Sequence, residues 1–184
     1  TEPWNGGLMD EEKRITDAVV PQDEEAFAEL FHDYYSRIFR YCRANGLSEA
    51  DAQEVVQATM IAVWKGLKNF QRRAALSTWI FGIAHHKMVD LQRQHNRNAA
   101  ITAAMRALPK REEKDFSEQI TISNRMMQAL AKLSEKHRQV ILLAFYQGLS
   151  CREMSVILAS CPMGTVKSRM YHAKERLKEL ISNE

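Results

Sequence analysis

From Asp23 the apolar positions Phe27, Leu30/Phe31, Tyr34, Ile38 and Tyr41/Cys42 recur at three and four residues until Gly46. That spacing marks one face of an α-helix of about six turns, with Asp23 as a favourable N-cap. Ser48, followed three residues on by Asp51, resembles a capping box. The apolar positions Ala52, Val55/Val56, Thr59, Ala62/Val63 and Leu67 then predict a second helix. Asn69 to Ala75 breaks the pattern with charge, after which Ser77 is expected to cap a third helix carrying Ile80, Ile83/Ala84, Met88 and Leu91. Three helices with short connections predict one bundle over residues 23–96.

Between about Asn96 and Glu118 the apolar spacing loosens, Pro109 interrupts, and Lys110 to Asp115 is a mixed run of charge. A linker is expected over 97–118, long enough to separate two domains. Periodicity returns over 119–184, first with Ile122, Met126, Leu130 and Leu133, then from Ser134 through Val140, Ile141 and Leu143/Ala144 to Gly148. Ser150 and Glu153 have true capping-box spacing at the start of a two-turn helix. Beyond Cys161-Pro162 a longer helix buries Val166, Met170, Ala173, Leu177 and Leu180, steps of four, three, four and three. Its opposite face carries Thr165, Lys167, Ser168, Arg169, His172 and Arg176.

Composition supports an all-α class of two helical domains. Gly 7 and Pro 4 together make about 6% of 184 residues, half the average usage of about 12%, so strand and hairpin punctuation is scarce. No apolar run reaches the ~18 residues a spanning helix needs, and no signal peptide opens the chain, so a cytoplasmic protein without membrane insertion is expected. The formal charge of +3 is uneven. Residues 1–30 hold nine acids and two bases, whereas 31–184 hold 24 bases and 14 acids. Residues 1–22 therefore read as an acidic leader ahead of a body able to meet a polyanion. The first eight residues are expected to be a cloning remnant or unstructured, and 10–20 a short helix stopped by Pro21. The leader could also fold back over the polyanion-facing surface of that body and damp binding.

A short capped helix, a turn and a longer helix with small, hydroxylic and basic residues in its first turns is the pattern of helix-turn-helix DNA binding. Arg can pair with guanine in the major groove, Thr and Ser can reach bases or phosphates, and further cations meet phosphates. The bland alternative is a helical hairpin with a solvated basic face. Cys42, Cys151 and Cys161 are odd in number without a CxxC pair, and neither they nor His85, His86 and His95 fit a metal-ligand spacing, so packed thiols and solvent-facing or phosphate-facing histidines are expected. A redox role for Cys151 and Cys161 stays a lesser alternative. No nucleophile and base pairing, glycine-rich phosphate loop or defined carboxylate pair is present, which argues against an enzyme, a cofactor and a small-molecule substrate.

Gly164-Thr165-Val166-Lys167-Ser168-Arg169, with Ala173-Lys174-Glu175-Arg176-Leu177 after it, closely resembles the recognition helix of extracytoplasmic-function sigma factors, the smallest group of the sigma-70 family. Leu133 to Ile141 resembles the opening of their domain four. Ala26-Phe27 with Leu30, Asp51 to Gln57 before Trp64, and Ser77-Thr78-Trp79-Ile80 with Ile83-Ala84 and Asp90 match their domain two. The resemblance spans about residues 23–181 and implies a transcription initiation factor. Its partners would be RNA polymerase core (β′ clamp helices and β flap), promoter DNA and an anti-sigma protein.

By that resemblance, Asp51, Glu54 and Gln57 would bind polymerase core. Phe70, Gln71, Arg72, Ser77, Thr78 and Trp79 would take a flipped base of the minus-10 element, and Lys87, Arg93 and Arg97 would hold phosphates there. The six residues of the last helix would read the minus-35 element. Trp79 also reads as core, the commoner role of a lone Trp at the start of an apolar helix. Three departures from the family pattern stand out: a turn at 159–162 one residue longer and without its usual Gly, Ala58 where an acid is common, and Gly82 with His85-His86 in place of bulkier or basic residues. Two rivals remain, a stand-alone dimeric regulator and a sigma mimic that engages protein but not DNA; the basic face speaks against the second.

Overall fold

The computed structural model describes residues 24–105, 121–158 and 161–182, and every regular element among them is an α-helix. In order they are α1 (Glu24–Ala44), α2 (Glu49–Leu67), α3 (Leu76–Met105), α4 (Thr121–Ala131), α5 (Glu135–Gln147), α6 (Cys151–Ile157) and α7 (Met163–Ser182). The leader with its expected helix, residues 106–120 of the expected linker, and Ala159-Ser160 of the turn lie outside the described residues.

α1 follows the predicted face: Leu30, Tyr34, Ile38, Tyr41 and Cys42 are buried, and Glu24 and Glu25 lie in its first turn, where they favour the helix dipole. Ser48 caps α2 by accepting the Asp51 backbone N–H, while the Asp51 carboxylate lies 3.6 Å from His95 on α3. Only half of a capping box therefore forms. α3 starts two residues earlier than a cap at Ser77 implies, so Ser77 sits inside its first turn, and the Trp79 N–H reaches the Ala75 carbonyl at 3.1 Å. The helix also runs on to Met105, well into the stretch that loosened apolar spacing marked as linker. Helical hydrogen bonds do not need an apolar face, and 93–99 continue as an exposed polar segment.

Ser134 caps α5, and Gly148 ends it at φ 65, a left-handed conformation that glycine adopts without a Cβ penalty. Ser150 and Glu153 form the full capping box of α6. The Ser155 hydroxyl then donates to the Cys161 carbonyl at 2.6 Å, fastening α6 to the turn that leads into α7. Ser150→Ala removes the cap acceptor, and a loss of about 1 kcal/mol is expected in urea denaturation, with melting of α6 ahead of the rest in hydrogen exchange.

The two bundles touch. Arg37 of α1 lies over the rings of Tyr34 and Phe81, 4.8 and 5.4 Å from their centroids, and its Nε donates to Gln147 of α5 at 3.2 Å. His85, expected at the surface, is 6% exposed, and its Nδ1 lies 3.0 Å from the Tyr41 hydroxyl. Cys42 and Cys161 are buried and Cys151 half-buried, all as free thiols. Burial pushes the Cys42 thiol up to about 12, so it stays protonated and unreactive. Among the described residues no group of His, Cys, Asp or Glu could hold a metal, and no helix is long and apolar enough to cross a membrane.

Candidate nucleic-acid interface

The helix-turn-helix is α6, its turn and α7. Val166 and Ala173 are buried, and Met170, Leu177 and Leu180 half-buried against α5 and the neighbouring helices. This stripe orients the rest. Thr165, Lys167, Ser168, His172 and Arg176 are exposed, while Arg169 is half-buried at the edge of the stripe. No acid precedes Glu175 in α7, so its first three turns present no negative group. Arg176 is held by Glu179 at 2.8 Å with both side chains 58% exposed, a solvated pair that phosphate can displace at little cost.

The minus-10 candidates are split by burial. Gln71 and Arg72 are exposed in the loop between α2 and α3, and Arg72 has φ 54. Phe70 and Trp79 are half-buried with ring centroids 4.9 Å apart. Trp79 fits closely because Gly66 lies under it: a Cβ there would stand 2.9 Å from Trp79 Cζ2. The indole thus packs against α2 and also faces a pocket of about 600 Å³ that Phe70, Gln71, Thr78, Ile83 and Lys87 help to line. Ser77 and Thr78, in contrast, are 9% and 3% exposed. The Thr78 hydroxyl donates to Glu153 Oε1 at 2.6 Å. Lys87, Arg93 and Arg97 are exposed along α3, and Arg93 lies 3.7 Å from Asp90.

Glu153 accepts that bond with one oxygen and the Ser150 N–H and hydroxyl with the other, at 2.8 and 2.7 Å. Burial alone pushes its carboxyl up, but the donors from Thr78 and Ser150 outweigh it and hold the group below the usual carboxylate range.

On α2, Glu54 and Gln57 are exposed and Asp51 is half-buried beside His95. Gln57 rims an apolar groove of about 480 Å³ formed by Phe27, Phe31, Met60, Ile61 and Trp64, with the Phe27 and Trp64 rings edge to face at 4.7 Å. Ile61 is 55% exposed there. Sequence reasoning named the polar rim and missed the groove. The signal was present: Ile61 and Trp64 are apolar yet fall outside the periodic stripe of α2.

Two family models match in chain order, Sigma-70 region 2 over residues 30–98 and Sigma-70 region 4 over residues 123–177. The chain is 31% identical to the ECF RNA polymerase sigma factor RpoE of Cereibacter sphaeroides, over 88% of this chain and 89% of that one. It is 27% identical to the ECF RNA polymerase sigma factor SigW of Bacillus subtilis, over 92% and 95%. Among solved structures, CnrH in complex with the cytosolic domain of CnrY superposes with a TM-score of 0.68 at 25% identity, over 94% of this chain and 98% of that one. RpoE of Bartonella quintana, solved with the anti-sigma factor NepR, shares the fold with a TM-score of 0.69 at 22% identity, over 85% and 96%. The α1 to α3 bundle and the helix-turn-helix thus define a two-region initiation factor rather than an enzyme. The chain belongs to the sigma-70 family, in its extracytoplasmic-function group, and works with RNA polymerase in transcription initiation.

Proposed function

We propose that this sigma factor reads two promoter elements through the two surfaces described above. Thr165, Lys167, Ser168, Arg169, His172 and Arg176 meet the minus-35 element in the major groove. Phe70, Gln71, Arg72, Ser77, Thr78 and Trp79 receive a base of the minus-10 element, and Lys87, Arg93 and Arg97 hold its phosphates. Base capture needs contacts that offset a few kcal/mol of unstacking, and the paired Phe70 and Trp79 rings supply an apolar seat for it. Asp51, Glu54 and Gln57, with the apolar groove beside them, dock polymerase core, and the β flap engages the second bundle. The observation that carries the reading is the division of α7 into a buried stripe and an acid-free basic face over its first turns.

Two solved relatives were captured with partners, CnrH with CnrY and RpoE with NepR. We extend this to the present chain as an anti-sigma partner that holds it inactive, with the cytoplasm, where polymerase acts, as its compartment. The Arg169→Ala variant is expected to lose about 1–3 kcal/mol of discrimination at one position of the minus-35 element while Lys167→Ala weakens all sequences alike. Core-dependent initiation from promoters mutated base by base checks this. Unchanged promoter preference with Arg169→Ala removes that residue from the reading set, and specific binding without core would make the chain a stand-alone regulator.

A further inference from the structure

His86 stands two turns beyond Trp79 on the same face of α3, about 10 Å further along the helix axis. Both line the pocket of about 600 Å³ that Phe70 also borders. Gly82 and Ile83 form the floor between them. Glycine adds no side chain there, so nothing at that position separates a planar ring resting on Phe70 and Trp79 from the imidazole.

The imidazole is oriented by its own helix. Its Nδ1 lies 2.6 Å from the Gly82 carbonyl oxygen. A carbonyl oxygen only accepts, so Nδ1 carries the proton and donates it. In the neutral ring this leaves a lone pair on Nε2, which has no partner among the described residues, and the side chain is exposed. The other polar side chains that α3 places on the pocket wall are engaged or of the opposite kind. Thr78 donates to Glu153, Asp90 lies 3.7 Å from Arg93, and Lys87 can only donate.

We propose that His86 sets which base the minus-10 site accepts: Nε2 takes a hydrogen bond from the exocyclic amine of adenine or cytosine, and disfavours guanine and thymine. Those two bases carry a keto oxygen where adenine and cytosine carry the amine. An oxygen facing Nε2 leaves two acceptors opposed and both unpaired, so selection works by penalty as well as by gain. The proposal rests on the minus-10 assignment above and adds a residue that assignment lacks. His86 is also a position at which this chain departs from the family pattern, so the choice of base is particular to this chain.

Holoenzyme assembled from purified core and the full chain tests this on promoters randomised over the minus-10 element. At the position whose base preference is lost with Phe70→Ala, adenine or cytosine is expected. That base is then replaced, in one strand at a time, by purine or 2-pyrimidinone, the same rings without the amine. Initiation by the parent is expected to fall about fivefold, the loss of one hydrogen bond. His86→Ala is expected to start about fivefold lower on the natural base and to fall no further with the analogue, whereas a ring that only packs would let both proteins fall alike. His86→Gln, whose amide both accepts and donates, is expected to initiate about equally from amino and keto bases. Equal falls for the parent and His86→Ala, a guanine or thymine at the Phe70-dependent position, or the parent's base preference kept by His86→Gln each overturn the proposal. If Phe70→Ala leaves every base preference as it is in the parent, the minus-10 assignment itself fails, and the role of His86 fails with it.

Discussion

The Phe81→Ala variant is expected to lose about 3–5 kcal/mol of stability, enough to leave a domain of ordinary stability close to unfolded. Phe81 has no exposed surface. Its ring stands 6.0 Å from Tyr34 and 6.0 Å from Tyr41, edge to face with the latter, so three aromatic side chains tie α3 to α1. Removing one leaves a cavity that rigid neighbours fill poorly, which is why the loss exceeds simple transfer out of water. The effect reaches function because Phe81 is two residues from Trp79 on the same helix, and the Arg37 that bonds to Gln147 rests on its ring. Phe81→Leu keeps most of the volume and is expected to cost about 1.5 kcal/mol or less. Urea denaturation followed by near-ultraviolet circular dichroism separates the two variants, and equal midpoints would show that the aromatic cluster is not the anchor of α3.

Sequence periodicity reached the helices and the faces of α1, α5 and α7, because each buries a stripe that recurs every three or four residues. Caps at Ser48 and Ser150 were legible for the same local reason. What escaped was long-range. Ser77 looked like a cap, but Thr78 beside it spends its hydroxyl on a partner 75 residues distant. His85 looked like a surface residue, although it lies four residues from Phe81 and three from Met88, on the buried stripe of α3. A polar side chain is skipped when apolar positions are counted, and its partner Tyr41 is 44 residues away. The continuation of α3 to Met105 escaped too, since a solvated polar helix carries no stripe to count. For the site, the basic face of α7 follows from spacing alone, and the minus-10 and core-binding sets came from family resemblance. The pocket, the groove and the contact between bundles are products of tertiary packing.

His85 makes stability depend on pH in a predictable direction. Burial, and to a lesser extent the neighbouring His86, lowers its pKa from 6.5 to about 4. Burial raises the Tyr41 phenol far above its ordinary value, so that hydroxyl keeps its proton and stays paired with His85 Nδ1 across 3.0 Å. At pH 7 the imidazole is therefore neutral, and a second proton would place a positive charge where burial disfavours it. In the unfolded chain the same ring takes up a proton as the pH falls through 6.5, while the folded chain refuses it until about 4. Between those values the unfolded state binds more protons, so acidification favours it, and stability present at pH 7 is lost progressively down to pH 4. A shift of this size corresponds to about 3 kcal/mol. Glu153 acts in a lower window, because a carboxyl held down in the fold loses its stabilisation only as the pH falls through its own range. Urea midpoints measured from pH 7 to pH 4 are expected to fall steadily for the parent. They are expected to stay nearly flat for His85→Gln, whose amide still pairs with Tyr41 and does not titrate. An equally steep fall in that variant would place the acid sensitivity elsewhere than in the Tyr41 and His85 pair.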